Sequence, residues 1–352
     1  MQRIHAARAT VLLALLLLVS QGLARSNASP TSLAYVSFCI NVHDFVNVQE
    51  SADTLLRLID LFERYEARGD FYLTAQIVQR YLEERPDVIE RLIRSDMTIS
   101  YHIRPPHPAY KGFDRLLADL DPASLVTTLS AYEIYATDLA TGELLDARAG
   151  GMTLFKETFG APPSVATIPF ETYRSTLLPI WFEIGAQMTV TYHESGTDLE
   201  HPYEWRDGLL IRPSDFSITR WPIEPGGESQ FWWNMIDTEV ARIFEPTNYF
   251  KRRIDEWSQD RSPFVTVLIH ENNFYRQGAT PWTYLFYTDG KKTIPRQPPY
   301  DLSAPDASKP RSSEQQEAIW EAYETLIAHA SSSHHVVTSV DIVEMAAARQ
   351  SD

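Results

Sequence analysis

The sequence predicts one α/β domain built on parallel strands, with long loops decorating it. Three observations carry this. Short β-branched or aromatic runs alternate with amphipathic helical runs for most of the chain. No repeat of fixed period is present. No shift in composition marks a second domain, and the 352 residues, 44% hydrophobic and 22% charged, are ordinary globular usage.

The elements follow in order. Residues 33–42, "LAYVSFCINV", form a buried-strand pattern that ends at His43 and Asp44. Residues 51–69 carry apolar positions at helical spacing and end on Gly69. "DFYLTA" (70–75) is a second strand, and 77–95 is helical with a new start at Pro86. "MTISY" (97–101) is a third strand. Residues 108–150 form a first long insertion, with a helix in "ASLVTTLSAYEIYATDL" and a turn-rich connection in "ATGELLDARAGG". Alternation then resumes: helix 152–160, strand 164–170, helix 175–185, strand 187–192. A second insertion, 195–233, holds the strand-like "GLLIRP". A Pro-broken helix (240–260) leads to the strongly β-branched "PFVTVLIH" (263–270), which ends on His270 and Glu271. A third insertion, 275–312, is rich in Pro, Gly and Tyr. A helix (313–331), a short strand (335–339) and a closing helix (340–348) complete the domain.

Residues 1–24 stand apart. Arg3 and Arg8 form a basic start, Val11–Val19 is an apolar run too short to span a bilayer, and "GLA" offers small residues for cleavage near Ala24. This reads as a signal peptide, with 25–33 a polar leader and 34–348 the folded domain. The expectation is a secreted or periplasmic protein with no membrane span. The formal charge is −16, and losing Arg3 and Arg8 would make it −18. Such acidity argues against nucleic acid and anionic membrane surfaces as partners. Cys39 is the single cysteine, so no intrachain disulfide forms.

In parallel α/β domains functional groups collect at the C-terminal ends of the strands. Three predicted strand ends carry such groups: His43 with Asp44, His102 with His107, and His270 with Glu271. Histidines and carboxylates converging there make the donor set of a zinc-like site. His193, Glu194 and His201 lie near another strand end and read as loop residues. His334 and His335 read as incidental. "QFWWN" and "TPWTYLFY" offer Trp232 and Trp282 as sugar-stacking faces, and "IPFETYRS" offers Glu171 and Arg174 to a substrate.

"GDFYLTAQIVQRYLEERPDVIERLIRSDMTISYHIRPPHP", "ETFGAPPSVATIPF", "VTVLIHENN" and "IAHASSSHHVVTSVDIVEM" together resemble the polysaccharide deacetylases with a NodB homology domain, carbohydrate esterase family 4. The resemblance implies a distorted (β/α)7, TIM-like barrel and a divalent metal, commonly zinc. It implies hydrolysis of N-acetyl groups on a polysaccharide or oligosaccharide. It puts Asp44, His102 and His107 at the metal, His43 at the catalytic base, His270 at the general acid and Glu271 beside it. His43 as a further ligand or a structural histidine stays open. The histidines are five apart where the family has four, with Pro105 and Pro106 between them, and Thr167 stands near the family's arginine. Two alternatives are a glycan-binding barrel without turnover and a glycosidase, with Glu194 and Glu271 as its acids.

Overall fold

A computed structural model describes residues 35–167, 172–191, 204–213, 251, 254–255, 264–277, 280–289 and 292–350. Strand β1 (Tyr35–Val42) is buried at every position after its first. Burial on both faces is why apolar residues fill both sides of it, with only Ser37 and Asn41 polar. Helix α1 (Val48–Arg64) follows, burying Val48, Leu55, Leu58, Ile59 and Phe62 on one stripe. Strand β2 (Asp70–Leu73) leads to α2 (Ala75–Glu84), whose first turn is capped by Thr74 accepting from the Ile77 N–H. Pro86 opens α3 (Pro86–Arg94), as the sequence predicts, because a proline at the first helical position gives up no bonded N–H. Strand β3 (Thr98–His102) follows.

The first insertion holds α4 (Pro122–Tyr132), capped by Asp121, and then an antiparallel hairpin of β4 (Tyr135–Thr137) and β5 (Leu144–Ala149). The helix expected over 123–139 therefore stops at Tyr132, its last part becomes β4, and β5 lies in the expected turn-rich connection, with Gly142 at φ 76° turning the loop between them. Next come α5 (Gly151–Phe159), β6 (Ala166–Thr167), α6 (Arg174–Ile184), β7 (Met188–Thr191), β8 (Glu204–Arg206) and β9 (Leu209–Pro213). The last third holds β10 (Phe264–His270), β11 (Arg276–Gln277), α7 (Trp282–Phe286), β12 (Lys309–Pro310), α8 (Ser313–Ser333), β13 (His335–Val336) and α9 (Ser339–Gln350).

Five strands pair in the order β10-β1-β2-β3-β6, all parallel. A parallel bridge between Val165 and Met188 carries the circuit to β7, which pairs in parallel with β9. Among the described residues this sets seven parallel strands in succession, β10-β1-β2-β3-β6-β7-β9, most of them separated by helices. Among the described residues no pairing joins β9 to β10, so the circuit is open there. Strand β10 covers one edge of β1 from Tyr35 to Asn41. On the other edge β13 pairs at Tyr35–Val36 and β2 at Cys39–Val42.

Phe38, Phe62 and Tyr323 meet edge-to-face and lock α1 and α8 to β1. The buried carboxylate of Asp70 accepts from Ser100 Oγ at 2.7 Å and from Ser339 N at 3.1 Å, with Ser339 Oγ also bonded to it. This ties β2 to β3 and to the first residue of α9. No helix of the described residues is long and apolar enough to cross a membrane.

Candidate functional site

The register of the sheet decides which side chains meet. Asn41 lies opposite His270, so His43, just past β1, stands level with the end of β10. His102 ends β3. The three imidazoles stack: His102 and His43 have ring centres 5.4 Å apart at 14°, and His43 and His270 5.0 Å apart at 22°. Trp282, carried in by α7 from the third insertion, packs edge-on against His43 at 5.7 Å. His43 and Glu271 are 0% exposed and His102 is 1% exposed.

Hydrogen bonds fix the proton on two of these rings. Arg104 Nε donates to His43 Nδ1 at 3.2 Å. Arginine has no lone pair to offer, so Nδ1 is the acceptor and a neutral His43 carries its proton on Nε2. His102 has a hydrogen bond to the backbone of Val42, and its Nε2 is buried without a partner. The bond to the Val42 carbonyl therefore falls to Nδ1–H, and the lone pair sits on Nε2. Burial holds His43, His102 and His270 well below the ordinary histidine range; Arg104 adds to this for all three, and Lys292 adds to it more strongly than Arg104 at His270. All three are neutral at physiological pH.

Glu271 is the opposite case. Its Oε1 accepts from the backbone N–H of His43 and of Asp44, both at 2.5 Å. Its Oε2 is buried without a partner, 3.9 Å from His43 Nε2. Burial, and then the neighbouring Asp44, push the carboxyl up to about 8, so Glu271 holds a proton near neutrality. Lys292 Nζ sits 4.9 Å over the Trp282 ring, and burial, then Arg104, pull its amine down to about 7.

The residues assigned to the metal are not brought together. Among the described residues the donor atoms of Asp44, His102 and His107 do not gather within 4.8 Å. Asp44 Oδ1 accepts from the N–H groups of Val46 and Asn47, and Oδ2 from Asn47 Nδ2 and Tyr275 Oη. That carboxylate is spent on its own turn and on Tyr275. His107 turns away: its Nδ1 accepts from the Ala109 N–H, its ring packs against Tyr132, and it lines a separate cavity of about 250 Å³ beside Gln76, Arg80 and Asp138. The set implied by the resemblance does not fit a metal at this mouth. Trp282 is wholly buried, as the stacked histidines are, with its ring edge-on to His43. Arg174 is buried in the first turn of α6. Glu171, Trp232, His193, Glu194 and His201 lie outside the described residues.

Two things escaped the sequence reading. Arg104 stands in plain view two residues after His102, yet nothing local says that it turns inward. Asp255, His329 and His334 form a triad whose donor atoms lie within 4.8 Å of one another, distant in sequence from Asp44.

No family model matches the chain, and no curated protein does. Among solved structures it is similar to a candidate polysaccharide deacetylase from Mycobacterium smegmatis, at 13% identity and a TM-score of 0.47, covering 92% of this chain and 95% of that one. It is similar to Puue allantoinase at 13% identity and a TM-score of 0.48, covering 88% and 89%. It is also similar to the peptidoglycan deacetylase PdaC from Bacillus subtilis at 11% identity and a TM-score of 0.38, covering 91% and 95%.

Proposed function

We propose that the chain is an exported hydrolase of the deacetylase kind, removing an acyl group from a saccharide by proton transfer between His102 and Glu271. The observation that carries this is the complementary protonation of two unpartnered buried atoms. His102 Nε2 bears a lone pair and Glu271 Oε2 bears a proton near neutral pH. Between them His43 presents Nε2–H. In the proposed reaction His102 Nε2 takes a proton from water as its oxygen attacks the acyl carbonyl. The His43 Nε2–H donates to the oxygen as it gains charge. The bond to the leaving nitrogen or oxygen breaks as Glu271 protonates it, and His102 returns its proton to Glu271. No step is assigned to a metal, because Asp44 and His107 point elsewhere. The resemblance of 70–108 supports the saccharide as substrate class, and the apolar run Val11–Val19 supports export.

The test is acetate release from a panel of N- and O-acetylated glycans by the wild type, His102→Gln and Glu271→Gln. Each variant is expected to lose roughly 10²–10⁴-fold. Wild-type turnover should fall as pH rises through about 8, where Glu271 gives up its proton. Wild-type rates in Glu271→Gln would overturn the assignment. The commitment of Asp44 to its own turn favours a second reading, a glycan-binding barrel; binding of a glycan by the wild type with no acetate released would support it.

A further inference from the structure

We propose that Asp255, His329 and His334 form a binding site for one divalent transition metal of the zinc type, independent of the histidine stack. His329 Nε2 lies 3.0 Å and His334 Nε2 2.9 Å from the same oxygen, Asp255 Oδ1. The two rings are 5.5 Å apart and nearly perpendicular, at 75°. Two imidazole nitrogens and a carboxylate oxygen are a zinc donor set. Ligands bound at ~2.0–2.1 Å in a tetrahedron stand ~3.3 Å from one another. Each histidine nitrogen needs to part from Asp255 Oδ1 by only a few tenths of an ångström to admit the ion.

The local fold explains the convergence. His329 lies in the last turns of α8, and His334 is its C-terminal cap, in extended backbone at φ −141° and ψ −176°, with its N–H still bonded to the Ala330 carbonyl at 2.9 Å. A cap that turns off the helix axis lets residues five apart point their rings the same way. Asp255 arrives from the segment ahead of β10. Its side chain is 42% exposed while that of His334 is 5% exposed, so an ion has a wet entry and a largely dry seat. His335 is not a fourth ligand, since its ring stacks on Tyr35 at 5.5 Å. Tyr35 is the first residue of β1 and pairs with His335, whereas His43 follows the last. The two sites therefore lie at opposite ends of a strand ~25 Å long.

The consequence is a clip. A metal bound here joins the chain before β10 to the end of α8, and stabilises the native state by mass action. The experiment uses the full chain, stripped with a chelator and titrated with Zn²⁺ or Co²⁺. The wild type and His102→Gln are expected to retain one equivalent and to melt several degrees higher with Zn²⁺. His329→Gln and Asp255→Asn should bind roughly 100-fold more weakly and lose the thermal shift. Equal retention and equal thermal response in wild type and His329→Gln would overturn the site. Should a variant fail to fold, ¹⁵N spectra of the wild-type histidines decide: one equivalent of Zn²⁺ should move the Nε2 signals of two histidines into the metal-bound range, and unmoved signals would refute the proposal.

Discussion

Replacing Glu271 by Gln should make the protein more stable at alkaline pH while removing its activity. In the folded chain the carboxyl is pushed from 4.5 up to about 8, first by burial and then by Asp44. In the unfolded chain it ionises near its ordinary value. Between those two pH values the native state holds a proton that the unfolded state has released, so stability declines as pH rises across that window. Each pH unit of separation corresponds to ~1.4 kcal/mol, so the full span amounts to at most about 5 kcal/mol above pH ~8. Glutamine has the same shape and still presents Oε1 to the N–H groups of His43 and Asp44, so at pH 5 the variant should differ from wild type by only about 1 kcal/mol. At pH 9 it should be the more stable protein by a few kcal/mol. Urea unfolding followed by tryptophan fluorescence from pH 5 to 9 measures both curves. Parallel curves for the two proteins would refute the account of Glu271 as a buried, protonated carboxyl.

Arg104→Met should release His43 Nδ1 and let the ring exchange tautomers; ¹⁵N spectra should register the mixed population, and acetate release should fall. On the acid side, His107 is held down to about 3 by burial, so its neutral form contributes stability that is intact above pH ~6.5 and lost as pH falls towards 3. His107→Asn should flatten the acid-unfolding curve over that window, read by far-UV circular dichroism. Phe38→Ala should cost about 3–5 kcal/mol in urea unfolding, since Phe38 is fully buried against Phe62 and Tyr323.

The parallel architecture was legible because burial leaves a plain mark. β1 and β10 read as mainly apolar, β-branched runs, and Pro86 announced the start of α3. The meeting of His43, His102 and His270 was legible for the same reason: all three close strands of one sheet. The direction of a side chain at a strand end was not. Asp44 lies three residues before Asn47, and a short carboxylate there closes on the N–H groups that follow it. That local choice competes with an inward ligand role and wins here. Trp282 read as a stacking platform because an exposed and a buried indole look alike in sequence. The hairpin of β4 and β5 was hidden by its polar faces, though Thr141-Gly142 marked its turn. Asp255 reaches His329 and His334 across 74 and 79 positions, a separation that no local pattern encodes.

The place of β1 at the centre of the sheet also sets a clock. Ser37 meets Thr266 Oγ1 across 229 positions of chain, and Tyr35 waits for His335. At synthesis rates of roughly 5–20 residues per second, the first strand emerges about 10–45 s before the partner that covers its whole edge. Through that interval its apolar edges have only β2 beside them. The segment is exposed to wrong pairing for as long as the chain is being made, and a carrier that keeps it extended, as a translocation machine does, would protect it until β10 and β13 arrive.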